Sequence, residues 1–395
     1  MESPIQNMRI RLYGVQGSGS SFPSREERQD YWNRSNYELL SQFVERLRPF
    51  EDTKGQISFR WNEFLGGPPS RDTLQKFLAE MQLPEQRVYG GWTTCIALET
   101  SDGYDIVFDC GSGFRNCAKD LQSRWKDRPK RELHVFGSHS HLDHTEGFDQ
   151  AAVCFDSRNA LHVYGNGQFL RALDTNLGIF SRYVSAHVIG VQTPVFYEIM
   201  PAKFHSCQIY DSTDGERPDP DSTVAHTWHD QTNVIQVGKT RITAFDVHHP
   251  APCLAYRVEH GNKVFVFCTD HELRLETDKN VAQYQASRAA EERVRRYSEG
   301  ADLLYRDGQY LEAEYRGEKG IGDSTPVSRR GWGHSCIENV VAMARECHVM
   351  RTLIGHHDPN RTWAERRWLD EQLERTSEQI GVHVELAQAD LVVDL

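Results

Sequence analysis

The sequence contains no C-x-x-C pair. Its nine cysteines (Cys95, Cys110, Cys117, Cys154, Cys207, Cys253, Cys268, Cys336 and Cys347) are scattered and odd in number. Several sit in apolar runs such as VFVFCTD, which excludes a disulfide framework and reads as reduced, buried thiols. Basic residues are outnumbered, 45 Lys+Arg against 57 Asp+Glu, for a net charge of −12. An acidic surface repels phosphate backbones, so broad nucleic-acid binding is disfavoured, although one pocket for a small anion stays open. MESPIQNMRIRLYG lacks the apolar run of a signal peptide, and no stretch is long enough to cross a bilayer. The expectation is a soluble cytoplasmic protein with no membrane partner. Hydrophobic residues make up 38%, enough for a core but low enough to suggest long polar insertions. There is no internal repeat and no low-complexity tract.

What is present is a chain of strands alternating with helices. Residues 8–14, MRIRLYG, alternate apolar and polar side chains and predict a strand. GVQGSGSSFPS breaks that pattern and reads as a loop. Residues 25–50 have helical spacing through Leu39, Leu40, Phe43, Val44 and Leu47, and a shorter helix is expected around Leu74, Phe77, Leu78 and Met81. Together these make 22–87 an insertion between two early strands. Strand patterns resume at CIALET and DIVFDCG, then at ELHVFGSHSH and LHVYG. A loop-rich region follows to about 240, then KTRITAFDVHH, LAYRVEH, KVFVFCTD, ADLLYRDGQY and MRTLIGHH. Helices are expected at 114–130, 280–299, CIENVVAMAREC and 363–380, and HVELAQADLVV is a last strand. This is an α/β layered protein in which strands end in His or Asp, so that loops after strands can gather polar groups at one sheet edge.

The densest such group is SHSHLDH, which places His139, His141, Asp143 and His144 within six residues. Neutral imidazole and carboxylate are ligands for zinc-type ions. His-x-His puts two imidazoles on one side of an extended segment, and the Asp-His pair beyond the turn can face a second ion. Two ions about 3.5–4 Å apart share a bridging ligand and activate water between them.

SHSHLDH resembles the His-x-His-x-Asp-His signature of the metallo-β-lactamase superfamily. DIVFDCGSG before it, and HHPAPCLAYRV, VFCTDHE, GWGHS and LIGHHDP after it, are similar to the ribonuclease Z-like phosphodiesterase branch. Within that branch they look most like cyclic-nucleotide phosphodiesterases of the anti-Pycsar type. The resemblance covers 8–21 and 88–360. It implies one αββα sandwich domain over 1–395 with the helical insertion inside it. It also implies two divalent ions, zinc first with manganese or iron as alternatives. His139, His141 and His249 would hold one ion, with His248 the neighbour given no role. Asp143, His144 and His356 would hold the other, with His357 the runner-up. Asp270 would bridge, although a carboxylate there could instead cap a helix. Asp143 is also placed in the catalytic machinery. His334 of GWGHS would act on phosphate, not on a metal, as acid or hydrogen-bond donor. It could equally be a helix-start residue, with Ser335 as the cap. Asp109 would orient the signature loop.

The function implied is hydrolysis of 3′,5′-cyclic nucleotides to linear monophosphates by water activated between the metals, in a homodimer. The alternatives are a tRNA 3′-processing endonuclease, a metal- or nucleotide-binding protein without turnover, and a thioester or lactam hydrolase. The endonuclease family carries an arm between the His249-type and Asp270-type motifs, and PAPCLAYRVEHGNKVFVFCT leaves no room for one. HTWHD (His226, His229) reads as a surface loop, and GVQGSGS as a tight turn beside the metals, not a phosphate loop. Trp92 stands where the branch has a small polar residue.

Overall fold

The computed structural model describes residues 5–81, 87–191, 194–209, 233–276 and 279–395. HTWHD lies outside them. The chain divides into two compact units, Met1–Phe22 with Val88–Leu395, and Pro23–Arg87.

The larger unit is built on β1 (Met8–Gly14), β2 (Cys95–Thr100), β3 (Asp105–Phe108), β4 (Glu132–Phe136), β5 (Ala160–Gly165), β6 (Lys203–Gln208), β7 (Val234–Val237), β8 (Thr240–Val247), β9 (Cys253–His260), β10 (Lys263–Cys268), β11 (Leu303–Asp307), β12 (Arg351–Gly355), β13 (His383–Leu386) and β14 (Val392–Asp394). They form two seven-stranded sheets, ordered β14-β1-β2-β3-β4-β5-β6 and β13-β12-β11-β10-β9-β8-β7. Each sheet is antiparallel at one end and parallel at the other: β3 to β6 run parallel, as do β10 to β13.

Period-two alternation explains how the sheets stack. In KVFVFC, Phe265 and Phe267 face the other sheet while Val266 and Cys268 face outward. In DIVF, Ile106 and Phe108 face inward and Val107 outward. The Phe108 and Phe267 rings stack across the interface with centroids 5.3 Å apart. Each such side chain, fully buried, contributes about 1.5–3 kcal/mol relative to exposure. Helices Phe114–Arg124 and Gly167–Leu177 cover the outer face of the first sheet. Helices Ala282–Ser298, Ile337–Glu346 and Trp363–Ile380 cover the second. The result is the αββα layering. All nine cysteines are buried and unpaired by disulfides. Among the described residues no helix is long and apolar enough to cross a membrane.

Two expectations change. HVELAQADLVV is not one strand. It turns at Asp390, whose φ of 65° is left-handed, so β13 completes one sheet and β14 the other. The stretch read as loop-rich before 240 holds, among the described residues, the helices Gly167–Leu177 and Ala186–Val191 and the edge strands β6 and β7. The helix Gly167–Leu177 starts on an Asn166 side-chain cap and ends at left-handed Gly178.

The smaller unit holds helices Arg25–Leu47, Trp61–Leu65 and Arg71–Glu80. The first opens with a Ser24–Glu27 capping box. Phe64, Leu65, Phe77 and Met81 form a small core, packed by Leu39, Phe43 and Leu47. Leu40, Val44, Leu74 and Leu78 on the same helices stay exposed.

Candidate metal centre

The C-terminal ends of β3, β4, β8, β10, β11 and β12 deliver Asp109, the SHSHLDH loop, His249, Asp270, Asp307 and His356 to one edge of the sandwich. Among the described residues, His139, His141, His249 and Asp270 bring ligand atoms together, as do Asp143, His144 and His356. A third grouping joins Asp270, His334 and His356.

The spacings are informative. Ligand atoms about 2.0–2.2 Å from a tetrahedral ion stand about 3.3–3.6 Å from one another. His144 Nε2 lies 3.3 Å from His356 Nε2, 3.4 Å from Asp143 Oδ2 and 3.3 Å from Asp270 Oδ1. His356 Nε2 lies 3.3 Å from Asp143 Oδ2 and 3.2 Å from Asp270 Oδ1. In the other group, His249 Nε2 is 3.3 Å from His141 Nδ1 and 3.9 Å from Asp270 Oδ2, while His139 Nε2 is 3.5 Å from Asp270 Oδ2. Asp270 thus offers one oxygen to each group. His139 Nε2 is buried and has no hydrogen-bond partner. These donors fit divalent ions by spacing and by chemistry.

Tautomers are set from behind. Asp109 accepts from His144 Nδ1 at 2.7 Å and from the Ser138 backbone and hydroxyl, both at 2.7 Å, which fixes both the ring and the loop that carries it. The Gly333 carbonyl accepts from His249 Nδ1 at 3.1 Å. Burial pushes His249 down to about 4, and burial with the neighbouring His144 holds His139 well below the usual histidine range. Both are neutral donors. His144 goes the other way: burial opposes its charge, but Asp270, Asp143 and Asp109 raise it well above the ordinary value. The centre of the carboxylates is a place that favours a cation.

Backbone strain gathers here too. Of the seven non-glycine residues with positive φ among those described, Ser18, Asp109, Asp270 and His356 belong to this edge. Such conformations cost about 1–3 kcal/mol each and persist where the surroundings enforce them. Among the described residues the next helix after Asp270 is Ala282–Ser298, with Val281 at its cap position, so capping is not the role of Asp270.

GVQGSGS does lie beside the cluster. A Cβ on Gly17 would stand 2.3 Å from His356 Nδ1, so only glycine fits against that ring. Ser18 N–H donates to Asp143 Oδ2 at 2.8 Å. His248 joins neither group; its backbone N–H donates to His271 Nδ1. His357 Nε2 donates to the Ala387 carbonyl at 2.8 Å, and burial and Arg366 push its pKa down to about 3. Trp92 packs edge-on against Phe22, centroids 5.0 Å apart, and is not part of the cavity wall.

His334 stacks on the His356 ring, centroids 4.7 Å apart, and its Nδ1 lies 3.2 Å from Asp307 Oδ2. Burial works against its charged form, but Asp307 and Asp270 outweigh that and raise its pKa. Ser335 is not a helix cap. The helix starts after Cys336, and the Ser335 hydroxyl is turned inward to the His271 carbonyl. Asp307 went unremarked in the sequence, although LLYRD ends in Asp just as DIVFD does. A cavity of about 440 Å³ opens over the cluster, lined by His141, Asp143, His249, Asp270 and His334 and by an outer wall of Gln309, Tyr310, Trp332 and Asn360.

No curated protein matches the chain. Among solved structures, Zn(2+)-bound PqqB from Methylobacterium extorquens is 12% identical with a TM-score of 0.50, covering 98% of this chain and 100% of that one. A diphosphatase of the PhnP family is 13% identical with a TM-score of 0.49, covering 98% of each chain. The short form of human tRNase Z is 13% identical with a TM-score of 0.44, covering 98% of each. At 12% identity the likeness to PqqB is one of fold alone. Residues 104–357, more than half of the sequence, match the beta-lactamase superfamily domain, and the chain belongs to that family.

Proposed function

We propose that this protein is a dinuclear-metal phosphodiesterase that hydrolyses 3′,5′-cyclic nucleotides to linear monophosphates. The observation that carries the reading is the pair of donor groups at tetrahedral spacing, sharing Asp270, with His334 beside them on Asp307. His139, His141 and His249 would hold one ion, Asp143, His144 and His356 the other, and Asp270 both. Bound there, divalent ions supply Lewis acidity towards a phosphoryl oxygen and towards water.

The protein's own groups do the rest. Asp307 takes the Nδ1 side of His334, which leaves Nε2 for a phosphate or leaving oxygen. Asp109 and the Gly333 carbonyl keep His144 and His249 presenting Nε2. The cavity, at about 440 Å³, is of a size for one small ligand. The residues from His249 to Asp270 form the β9–β10 hairpin, and no arm for holding tRNA is inserted between them. Net charge of −12 points the same way, away from the endonuclease alternative.

The test is a substrate panel: cAMP, cGMP, cCMP, cUMP, cyclic dinucleotides and precursor tRNA, each with zinc, manganese and iron. The expected result is conversion of at least one cyclic mononucleotide to its linear monophosphate. Cleavage of precursor tRNA with the cyclic nucleotides untouched would contradict the proposal.

A further inference from the structure

The phosphodiester reading places phosphate at the metal donors and says nothing of the rest of the substrate. The outer wall of the same cavity carries three observations that do.

Trp332 is 52% exposed on that wall. Gly331 and Gly333, both at positive φ (82° and 97°), flank it, and their N–H groups donate to the Glu272 carboxylate at 2.8 and 3.3 Å. The loop is therefore pinned on both sides of the ring. Buried Arg329 sets its guanidinium 5.7 Å from the Trp332 ring and 5.4 Å from the Tyr310 ring. Arg329 is in turn fixed by the Glu314 and Val327 carbonyls.

Gln309 lines the same cavity and is only 2% exposed, yet its carboxamide oxygen has no hydrogen-bond partner. A buried polar group left unpaired is destabilising, a penalty that a ligand can remove. Lastly, no lysine or arginine is among the residues lining this cavity, while Asp143, Asp270 and Asp358 are. Beyond the phosphate held at the metals, the wall selects for flatness and hydrogen bonding, not for further negative charge.

Resting on the phosphodiester reading for the placement of phosphate, we propose that Trp332 and Gln309 form a nucleobase subsite. The indole stacks on the base and the carboxamide pairs with its polar edge. The substrate class is a singly charged phosphodiester bearing a planar heterocycle. An aryl or acyl group would leave Gln309 unpaired, and a polyphosphate would find no cation on this wall.

The experiment is calorimetric titration of the metal-loaded protein with the four 5′-nucleoside monophosphates and with ribose 5-phosphate, which has the same phosphate and no base. Base stacking is worth about 1–3 kcal/mol, so at least one nucleotide is expected to bind about 5–150-fold tighter than ribose 5-phosphate. Trp332→Ala brings that nucleotide's affinity towards the ribose 5-phosphate value, and Trp332→Phe keeps most of the difference. Gln309→Ala lowers it by about 2–10-fold, the worth of one hydrogen bond. Circular dichroism confirms that each variant is folded. Equal affinity for nucleotides and ribose 5-phosphate, absence of nucleotide binding, or a base preference intact in Trp332→Ala overturns the subsite. The two readings separate cleanly. Hydrolysis of cyclic nucleotides together with equal affinity for nucleotides and ribose 5-phosphate keeps the phosphodiesterase and removes the subsite. A base preference lost in Trp332→Ala, with no diester hydrolysed, keeps the subsite and removes the phosphodiesterase.

Discussion

On the proposed phosphodiesterase reading, His334→Ala is expected to retain the full metal content of the wild type and to lose about 10²–10⁴-fold in cyclic-nucleotide turnover, the range for a lost general acid. The geometry behind this expectation is the division of the two ring nitrogens. Nδ1 is committed to Asp307 at 3.2 Å, and its distance to Asp270 Oδ2, 3.9 Å, is longer than most of the spacings within the donor groups. The ring lies flat on His356, which orients it without making it a necessary donor. If the residue merely started a helix, the melting temperature would fall and the rate would hold. The helix begins at Ile337 after Cys336, so a large loss of stability is not expected. Metal content, melting temperature and rate on one preparation distinguish the two. A variant with near wild-type turnover would show GWGHS to be structural.

Asp143→Ala is expected to lose metal and activity together. Its Oδ2 stands 3.4 Å from His144 Nε2 and 3.3 Å from His356 Nε2, and accepts from Ser18 N–H at 2.8 Å. Burial alone would raise its pKa, but His144 and His356 hold it far below the usual carboxylate range. Removing the charge takes one donor from the second group and leaves two imidazoles facing each other at 3.3 Å. The outcome to measure is metal per chain beside kcat. A variant that binds metal as the wild type does, with activity intact, would remove Asp143 from the ligand set.

The sheets were legible because their strands alternate cleanly, as in KVFVFC, where every second residue meets the opposite sheet. The last strand was misread because apolar spacing continues through HVELAQADLVV, and nothing in it but Asp390 marks the turn that sends the chain to the other sheet. SHSHLDH was legible because its ligands are local. Asp307 was not, because its partner His334 is distant in sequence and the pairing exists only once β11 and the GWGHS loop meet. The preference for His249 over His248 and for His356 over His357 came from the family resemblance and not from the residues themselves. Each pair sits at a strand end, and only one member of each turns its ring into the cluster. Gly17 and Gly333 are required by close approach to His356 and His249, which spacing cannot express. Nothing in the sequence separates Trp332, which lines the cavity, from Trp92, which packs on Phe22.

The central claim is that two groups of side chains, joined through Asp270, each hold a divalent ion. Elemental analysis of freshly purified wild-type protein tests it most directly. The account predicts about two transition-metal ions per chain, the stoichiometry of a bridged hydrolase site. One tightly held ion, with no gain on adding zinc or manganese, would contradict it.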